Sequence, residues 1–191
     1  MKEQRRQEWD NRYKGRLNTQ SVAAVLEENV SLLPKEGLAL DIGCGTGANS
    51  FFLASLGMEV RAWDFSKNAI NAMKGLLKSG EKIYPEEVAI SPTSFEKNKF
   101  DLILCCHFLD RAIIQAIHDA AAPGGLIIYQ TFSSEKKDQI GPSNPEFLLN
   151  YRELFFFVGK CEVLSYREQL VKRSGRDKMA GKAYIIGKKT S

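Results

Sequence analysis

Apolar positions in this chain form short unbroken runs and longer stretches of helical spacing, and the two kinds alternate. Leu38-Ala39-Leu40-Asp41-Ile42 is a short run ending in glycines, as a buried strand does. From Asn49 to Leu56 the spacing turns helical, and Gly57 stands where a C-capping residue would. Val60 to Trp63 predicts a second strand, closed by Asp64, and Ser66 is placed to cap a helix carrying Ile70, Met73 and Leu77. Val88 to Ile90, between Pro85 and Pro92, is the third strand candidate. Phe100 to Cys106 reads as the fourth, followed by a helix with Ile113, Ile114 and Ile117. Pro123-Gly124-Gly125 turns the chain into Leu126 to Phe132, a fifth buried strand. After a loop from Gly141 to Pro145, the pattern predicts a helix over Glu146 to Val158, in which FFFV at 155–158 reads as core. Two last strands follow, near Cys161 to Leu170 and Ala183 to Gly187, with a basic loop between them. Strands alternating with helices imply an α/β fold whose mostly parallel sheet is covered on both faces. The final pair has no intervening helix and is expected to form an antiparallel hairpin at the sheet edge.

Ahead of the first strand, Val22, Val25, Leu26 and Leu33 recur at helical intervals until Pro34. Lys2 to Arg16 is rich in charge, with Trp9 and Tyr13 four apart on one helix face. No linker-like tract interrupts the 191 residues, so a single domain is expected: a helical segment at 1–33 and a core at 37–191. Hydrophobic residues make up 43% and charged residues 26%, which excludes disorder. The net charge of +4 is too small for a chain built around nucleic acid. Four cysteines are too few for a disulfide scaffold, and the charged opening is no secretory leader. A cytoplasmic location is expected, with no membrane span.

Candidate chemistry concentrates in LDIGCGTGAN, Leu40 to Asn49. Gly43, Gly45 and Gly47 stand where a strand must turn sharply into a helix, which lets a ligand press on bare backbone. The helix N-terminus beyond favours an anion. Asp64, ending the next strand, can accept both hydroxyls of a ribose. An adenosine-type ligand across the first two strand ends is the result. A dinucleotide fingerprint needs a third glycine where this chain has Ala48. A zwitterionic amino-acid tail instead needs an acceptor for its ammonium, and Asp41 can serve, directly or through water.

The stretches LDIGCGTGANSFFLASLG, VRAWDFSKNAI, FDLILCCHFLDR and APGGLIIYQTF resemble the successive motifs of class I S-adenosylmethionine-dependent methyltransferases. The WDNRY opening, Asn49 and GPSNPEFLLNYREL are similar to the tellurite-resistance-type small methyltransferases within that group. The resemblance implies a Rossmann-like fold, a seven-stranded sheet and S-adenosylmethionine as cofactor, with S-adenosylhomocysteine as product. It also implies site residues. Gly43, Cys44 and Gly45 would lie against the methionyl part with Asp41 beneath, Asp64 would hold the ribose, and Phe65 would pack on adenine. The third strand usually ends in an acid for the adenine amino group; here Ser91 is the matching residue, a weaker partner. The Cys106 carbonyl would meet the cofactor ammonium, and Trp9 and Tyr13 would belong to a lid.

Methyl transfer from a sulfonium needs alignment, exclusion of water and, for some acceptors, a base. His107, at the carboxyl end of the fourth strand, is the candidate catalytic residue. The chain lacks a (D/N/S)-P-P-(Y/F) clamp for base amino groups, a Pro-Cys nucleophile and any metal-ligand spacing, so no metal is expected. Lys172, Arg173, Arg176, Lys178 and Lys182 in the last hairpin form either a solvated surface or a steering patch for an anion. The expected partner is a small-molecule acceptor, a thiol, metalloid oxyanion or carboxylate, for a monomer or homodimer with no nucleic acid or membrane partner. The rival readings are a methyltransferase acting on RNA or protein, a non-catalytic cofactor-binding protein, and an NAD-binding oxidoreductase.

Overall fold

A computed structural model describes residues 7, 10, 11, 13, 14, 21–137, 139–172 and 177–190. Trp9, Arg173 and Arg176 lie outside the described residues. Strands β1 (Leu38–Ile42), β2 (Glu59–Asp64), β3 (Ile83–Glu87), β4 (Phe100–Cys106), β5 (Ala121–Phe132), β6 (Glu162–Gln169) and β7 (Lys182–Lys188) form one sheet in the order β3-β2-β1-β4-β5-β7-β6. Only β7 runs against its neighbours, pairing antiparallel with β5 and β6. The helices are α1 (Ala24–Glu28), α2 (Ala48–Ser55), α3 (Lys67–Leu76), α4 (Ile114–Ala120) and α5 (Leu154–Val158). The chain walks outward from β1 through β2 to β3, then returns to the other side of β1 for β4. That reversal opens a crevice at the carboxyl ends of β1 and β4, where open α/β sheets bind ligands.

Period-two alternation gives the sheet two apolar faces. Leu102, Leu104 and Cys106 of β4 join one core with Val25, Leu26, Leu53 and Met73. Ile103 and Cys105 join the other with Ile113, Ile117, Tyr129 and Phe157. The two adjacent cysteines therefore point to opposite faces, as their strand position requires. Ser66 caps α3 by accepting from the Ala69 amide at 3.2 Å.

Two elements differ from the sequence expectation. The third strand is not Val88–Ile90 but Ile83–Glu87, paired from Val60↔Ile83 to Asp64↔Glu87. It contains Pro85, which an edge strand tolerates because one side of its ladder is unpaired. Val88 and Ile90 pack their apolar side chains on the second core without extending the strand. The helix expected over 146–158 is broken into a 3-10 turn at Pro145–Phe147 and the short α5. Between them Leu149 donates to the Phe132 carbonyl at 2.8 Å and accepts from the Ser134 amide at 2.8 Å. Pairing with the end of β5 thus competes with the local helix. In α5, Phe157 and Val158 are core while Phe156 is 81% exposed.

Candidate functional site

The glycine loop joins β1 to α2 at the crevice. Gly43 and Gly47 adopt φ of +69° and +91°, in the left-handed region. A Cβ at Gly47 would stand 2.7 Å from Met73 Cε, and one at Gly43 3.1 Å from Phe108 Cβ. The loop is tied to β2: the Gly43 and Cys44 amides donate to the Trp63 carbonyl at 2.8 and 3.0 Å. Gly45 N–H donates to Asp64 Oδ2 at 2.9 Å, and Ser66 N–H to Asp64 Oδ1 at 2.8 Å. One buried carboxylate therefore clasps the loop and the start of α3 together. Burial raises the Asp64 pKa, and the Ser66, Gly45 and Phe65 amides pull it back.

Beneath the loop lies Asp41, 1% exposed. Ser50 Oγ–H donates to its Oδ2 at 2.6 Å, and the Ser50 amide, in the first turn of α2, donates as well. Burial takes the Asp41 pKa up to about 7, opposed by the Ser50 hydroxyl and reinforced by the Asp64 charge. Phe65 is half-buried beside Asp64, and Cys44 is buried in the first core.

These details decide between ligands. A pyrophosphate needs free loop amides and an empty helix N-terminus. Here the amides of Gly43, Cys44, Gly45 and Gly47 all have acceptors inside the protein, and the Asp41 carboxylate occupies the first turn of α2. Two buried acids suit a ligand that brings positive charge and hydroxyl donors. The residues present therefore fit S-adenosylmethionine, with its ammonium, sulfonium and ribose, and not a dinucleotide phosphate.

The amino-terminal segment reaches the same place through a residue that sequence reasoning missed. Asp10 Oδ1 accepts from Ser66 Oγ at 2.6 Å and from the Asn68 amide at 3.0 Å, while its carbonyl takes Asn68 Nδ2 at 3.1 Å. An acidic residue at the first turn of α3 suits the helix dipole. Spotting it needed the fold, since aspartate is common in charged openings. Tyr13 is half-buried in the same stretch.

Ser91 is placed four residues beyond β3, as the N-cap of a 3-10 turn (Pro92–Ser94), its hydroxyl 3.0 Å from Thr93 Oγ1 and 3.2 Å from Ser94 Oγ.

Across the crevice, Cys106 ends β4 and His107 follows at φ +57°, a conformation rare for a side-chain-bearing residue. Its amide donates to the Gln130 carbonyl at 2.8 Å. Water reaches the ring, yet protein crowds its other sides. That desolvation, with the nearby charge of Lys182, lowers the His107 pKa to about 4. Access of water tempers the size of the shift but not its direction, so the imidazole is neutral at pH 7.

Gln130 and Lys182 complete this side. Gln130 is 1% exposed; its Oε1 accepts from the Val25 amide at 2.9 Å and its Nε2 lies 3.3 Å from His107 Nε2. The Ala23 amide donates to Asn49 Oδ1 at 2.9 Å, so one buried and one partly buried side chain satisfy amides that α1 cannot bond internally. Lys182, taken from sequence as part of a basic loop, is only 9% exposed. Its Nζ donates to the Lys178 carbonyl at 2.7 Å and stands 4.8 Å from the centre of the Phe132 ring. Lys178 instead reaches out to pair with Glu27 at 2.6 Å. Among the described residues no cluster of three or more His, Cys, Asp or Glu is placed to hold a metal ion.

Residues 39–125 match the family described as "Methyltransferase domain". The chain is 32% identical over 108 residues to a ubiquinone biosynthesis O-methyltransferase of Paraburkholderia xenovorans, an alignment covering 53% of this chain and 47% of that protein. It thus spans about half the length of the curated relatives it matches. TehB from Haemophilus influenzae has a similar structure, with a TM-score of 0.73 and 22% identity over 95% of this chain and 67% of that one. So does the magnesium protoporphyrin IX methyltransferase ChlM of Synechocystis, solved with bound S-adenosylmethionine, at a TM-score of 0.64 and 16% identity, covering 87% of this chain and 77% of that one. The crevice geometry and these likenesses converge: residues 39–125 match the methyltransferase domain family, and the chain has the Rossmann-like fold seen in solved S-adenosylmethionine-dependent methyltransferases.

Proposed function

We propose that the chain binds S-adenosylmethionine at the crevice and transfers its methyl group to a small-molecule acceptor, releasing S-adenosylhomocysteine. The observation that carries this is the pair of buried acids under and beside a glycine loop whose own amides are already engaged. Asp64 orients the ribose and Asp41 balances the ammonium. Gly43, Cys44 and Gly45 form the bare wall along the methionyl chain, the Cys106 carbonyl faces its ammonium, and Phe65 packs on adenine. When bound, the cofactor supplies a methyl already activated on sulfur. The protein's task is then to align the acceptor and exclude water. His107, at the end of β4, faces the acceptor. The opening segment anchored by Asp10 and carrying Tyr13 covers the cofactor, one part of a single domain. No helix among the described residues is long and apolar enough to cross a membrane, which fits a cytoplasmic enzyme on a diffusible substrate.

A macromolecular acceptor is less well supported. Of the basic hairpin residues, Lys178 is paired with Glu27 and Lys182 is buried, which thins the patch that RNA would need. The test is transfer of label from methyl-labelled S-adenosylmethionine into cell extract split into small-molecule and macromolecular fractions. Label in the small or volatile fraction is expected. Label confined to macromolecules would move the acceptor to RNA or protein, and cofactor binding without transfer would point to a non-catalytic protein.

Ser91 is expected to contribute little to the cofactor site, because its hydroxyl is engaged in its own turn. Ser91→Ala should cost about 1 kcal/mol of stability, as loss of a cap does. Affinity for S-adenosylhomocysteine by titration calorimetry should stay within about twofold, short of a net hydrogen bond of about 1 kcal/mol. A tenfold loss would restore Ser91 to the adenine contact.

A further inference from the structure

We propose that Lys182 Nζ and His107 Nδ1–H, set against the face of Phe132, form a recognition site for an acceptor bearing a carboxylate, with His107 acting as a hydrogen-bond donor and not as a base. The proposal rests on the methyltransferase reading and deepens it.

Three neighbouring strands build the site. Cys106 of β4 lies opposite Gln130 of β5, and Phe132 of β5 lies opposite Lys182 at the start of β7. Because β7 is antiparallel, its first residue arrives at the carboxyl edge of the parallel strands, beside His107. The His107 and Phe132 ring centres are 5.7 Å apart, and the Lys182 ammonium stands 4.8 Å from the same Phe132 ring.

The proton on His107 follows from its neighbour. The Val25 amide can only donate, so the Gln130 oxygen must face it and the Gln130 –NH2 must face His107. An amide –NH2 can only donate too. His107 Nε2 is therefore the acceptor, and the proton of the neutral ring sits on Nδ1. A ring whose unprotonated nitrogen is already occupied is poorly placed to take a proton from substrate, whereas Nδ1–H has no acceptor among the described residues. Lys182 spends one of its three N–H bonds on the Lys178 carbonyl and has no carboxylate within ion-pair distance among the described residues. Burial lowers its pKa and the Asp177 charge raises it. A buried cation and a neutral donor set around one aromatic ring call for an anionic oxygen group. The Phe132 ring beside both offers apolar contact to an organic body.

The test uses the full chain saturated with S-adenosylhomocysteine, with benzoate and benzamide as probes. Long-range proton–nitrogen NMR should find the His107 proton on Nδ1, shifted by benzoate and little by benzamide. Lys182→Met should weaken benzoate binding about tenfold or more while S-adenosylhomocysteine affinity holds, and Lys182→Arg should retain most of it. Gln130→Leu should release the tautomer preference. The site is overturned if benzoate gives no shift in the loaded protein, if benzamide binds as well, or if Lys182→Met binds benzoate unchanged. A proton found on Nε2 overturns the donor role. Failure of the parent chain to bind S-adenosylhomocysteine would instead strike the methyltransferase reading.

Discussion

Asp64→Ala is expected to damage binding and folding together. In the proposed cofactor site the carboxylate would offer charge-assisted hydrogen bonds to two ribose hydroxyls. Their loss is worth about 1.5–3 kcal/mol, or roughly a 10- to 150-fold fall in affinity for S-adenosylhomocysteine. The same oxygens accept the Gly45 and Ser66 amides at 2.9 and 2.8 Å. Left buried without acceptors, those two N–H groups would cost about 1–3 kcal/mol each. Against a total stability of about 5–15 kcal/mol, the ligand-free variant should melt visibly earlier and its glycine loop should loosen. Denaturant unfolding and calorimetry on one preparation separate the effects. Unchanged affinity in a folded variant would remove Asp64 from the ribose, and unchanged stability would remove it from the clasp.

Asp41 should leave its mark on pH dependence. The folded chain holds the Asp41 proton up to about pH 7, whereas the ordinary value is 3.8. Between those values the unfolded chain binds fewer protons than the folded one, so stability falls as pH rises across the window and levels off above it. Three pH units amount to about 4 kcal/mol. Asp41→Asn removes the burden, so the ligand-free variant should be more stable than the parent at pH 8, and the difference should vanish near pH 4. Cofactor binding should run the opposite way. A bound ammonium favours the carboxylate, so parent affinity should climb towards pH 7 and then flatten, while the Asn variant binds more weakly with little slope. Other carboxylates titrate in the same range, which makes the difference between the two proteins the quantity to follow. Parallel stability curves across pH 4–8 would show that Asp41 ionises normally.

The places of both acids in the fold, within β1 and at the end of β2, are legible in the sequence because their signals are local. A glycine loop after an apolar run, an acid closing the next strand, and Ser66 three residues before the amide it caps can each be read within about ten residues. Other features depend on partners far along the chain. Gln130 bonds Val25 across 105 positions, and Asp10 bonds Ser66 across 56. Neither has a spacing that marks it. Lys182 was misplaced for the same reason. In sequence it is one lysine of a basic loop, and only the antiparallel register with β5 carries it inward onto Phe132.

The strand at 83–87 and the broken helix at 145–158 show the same limit within secondary structure. Apolar content favoured Val88–Ile90, but pairing with β2 chose the residues before them. Apolar spacing favoured one long helix, but Leu149 pairs with the end of β5. What the sequence determined by itself is the alternation of strands and helices, the loop at the first turn, and the two acids at the ends of the first two strands. Short-range sterics and hydrophobic period are enough for those. The tertiary structure alone decided which strands pair and where their edges stop. From that came the assembly of His107, Gln130, Phe132 and Lys182 at one sheet edge, because hydrogen-bond register between distant segments is not written in the spacing of either one.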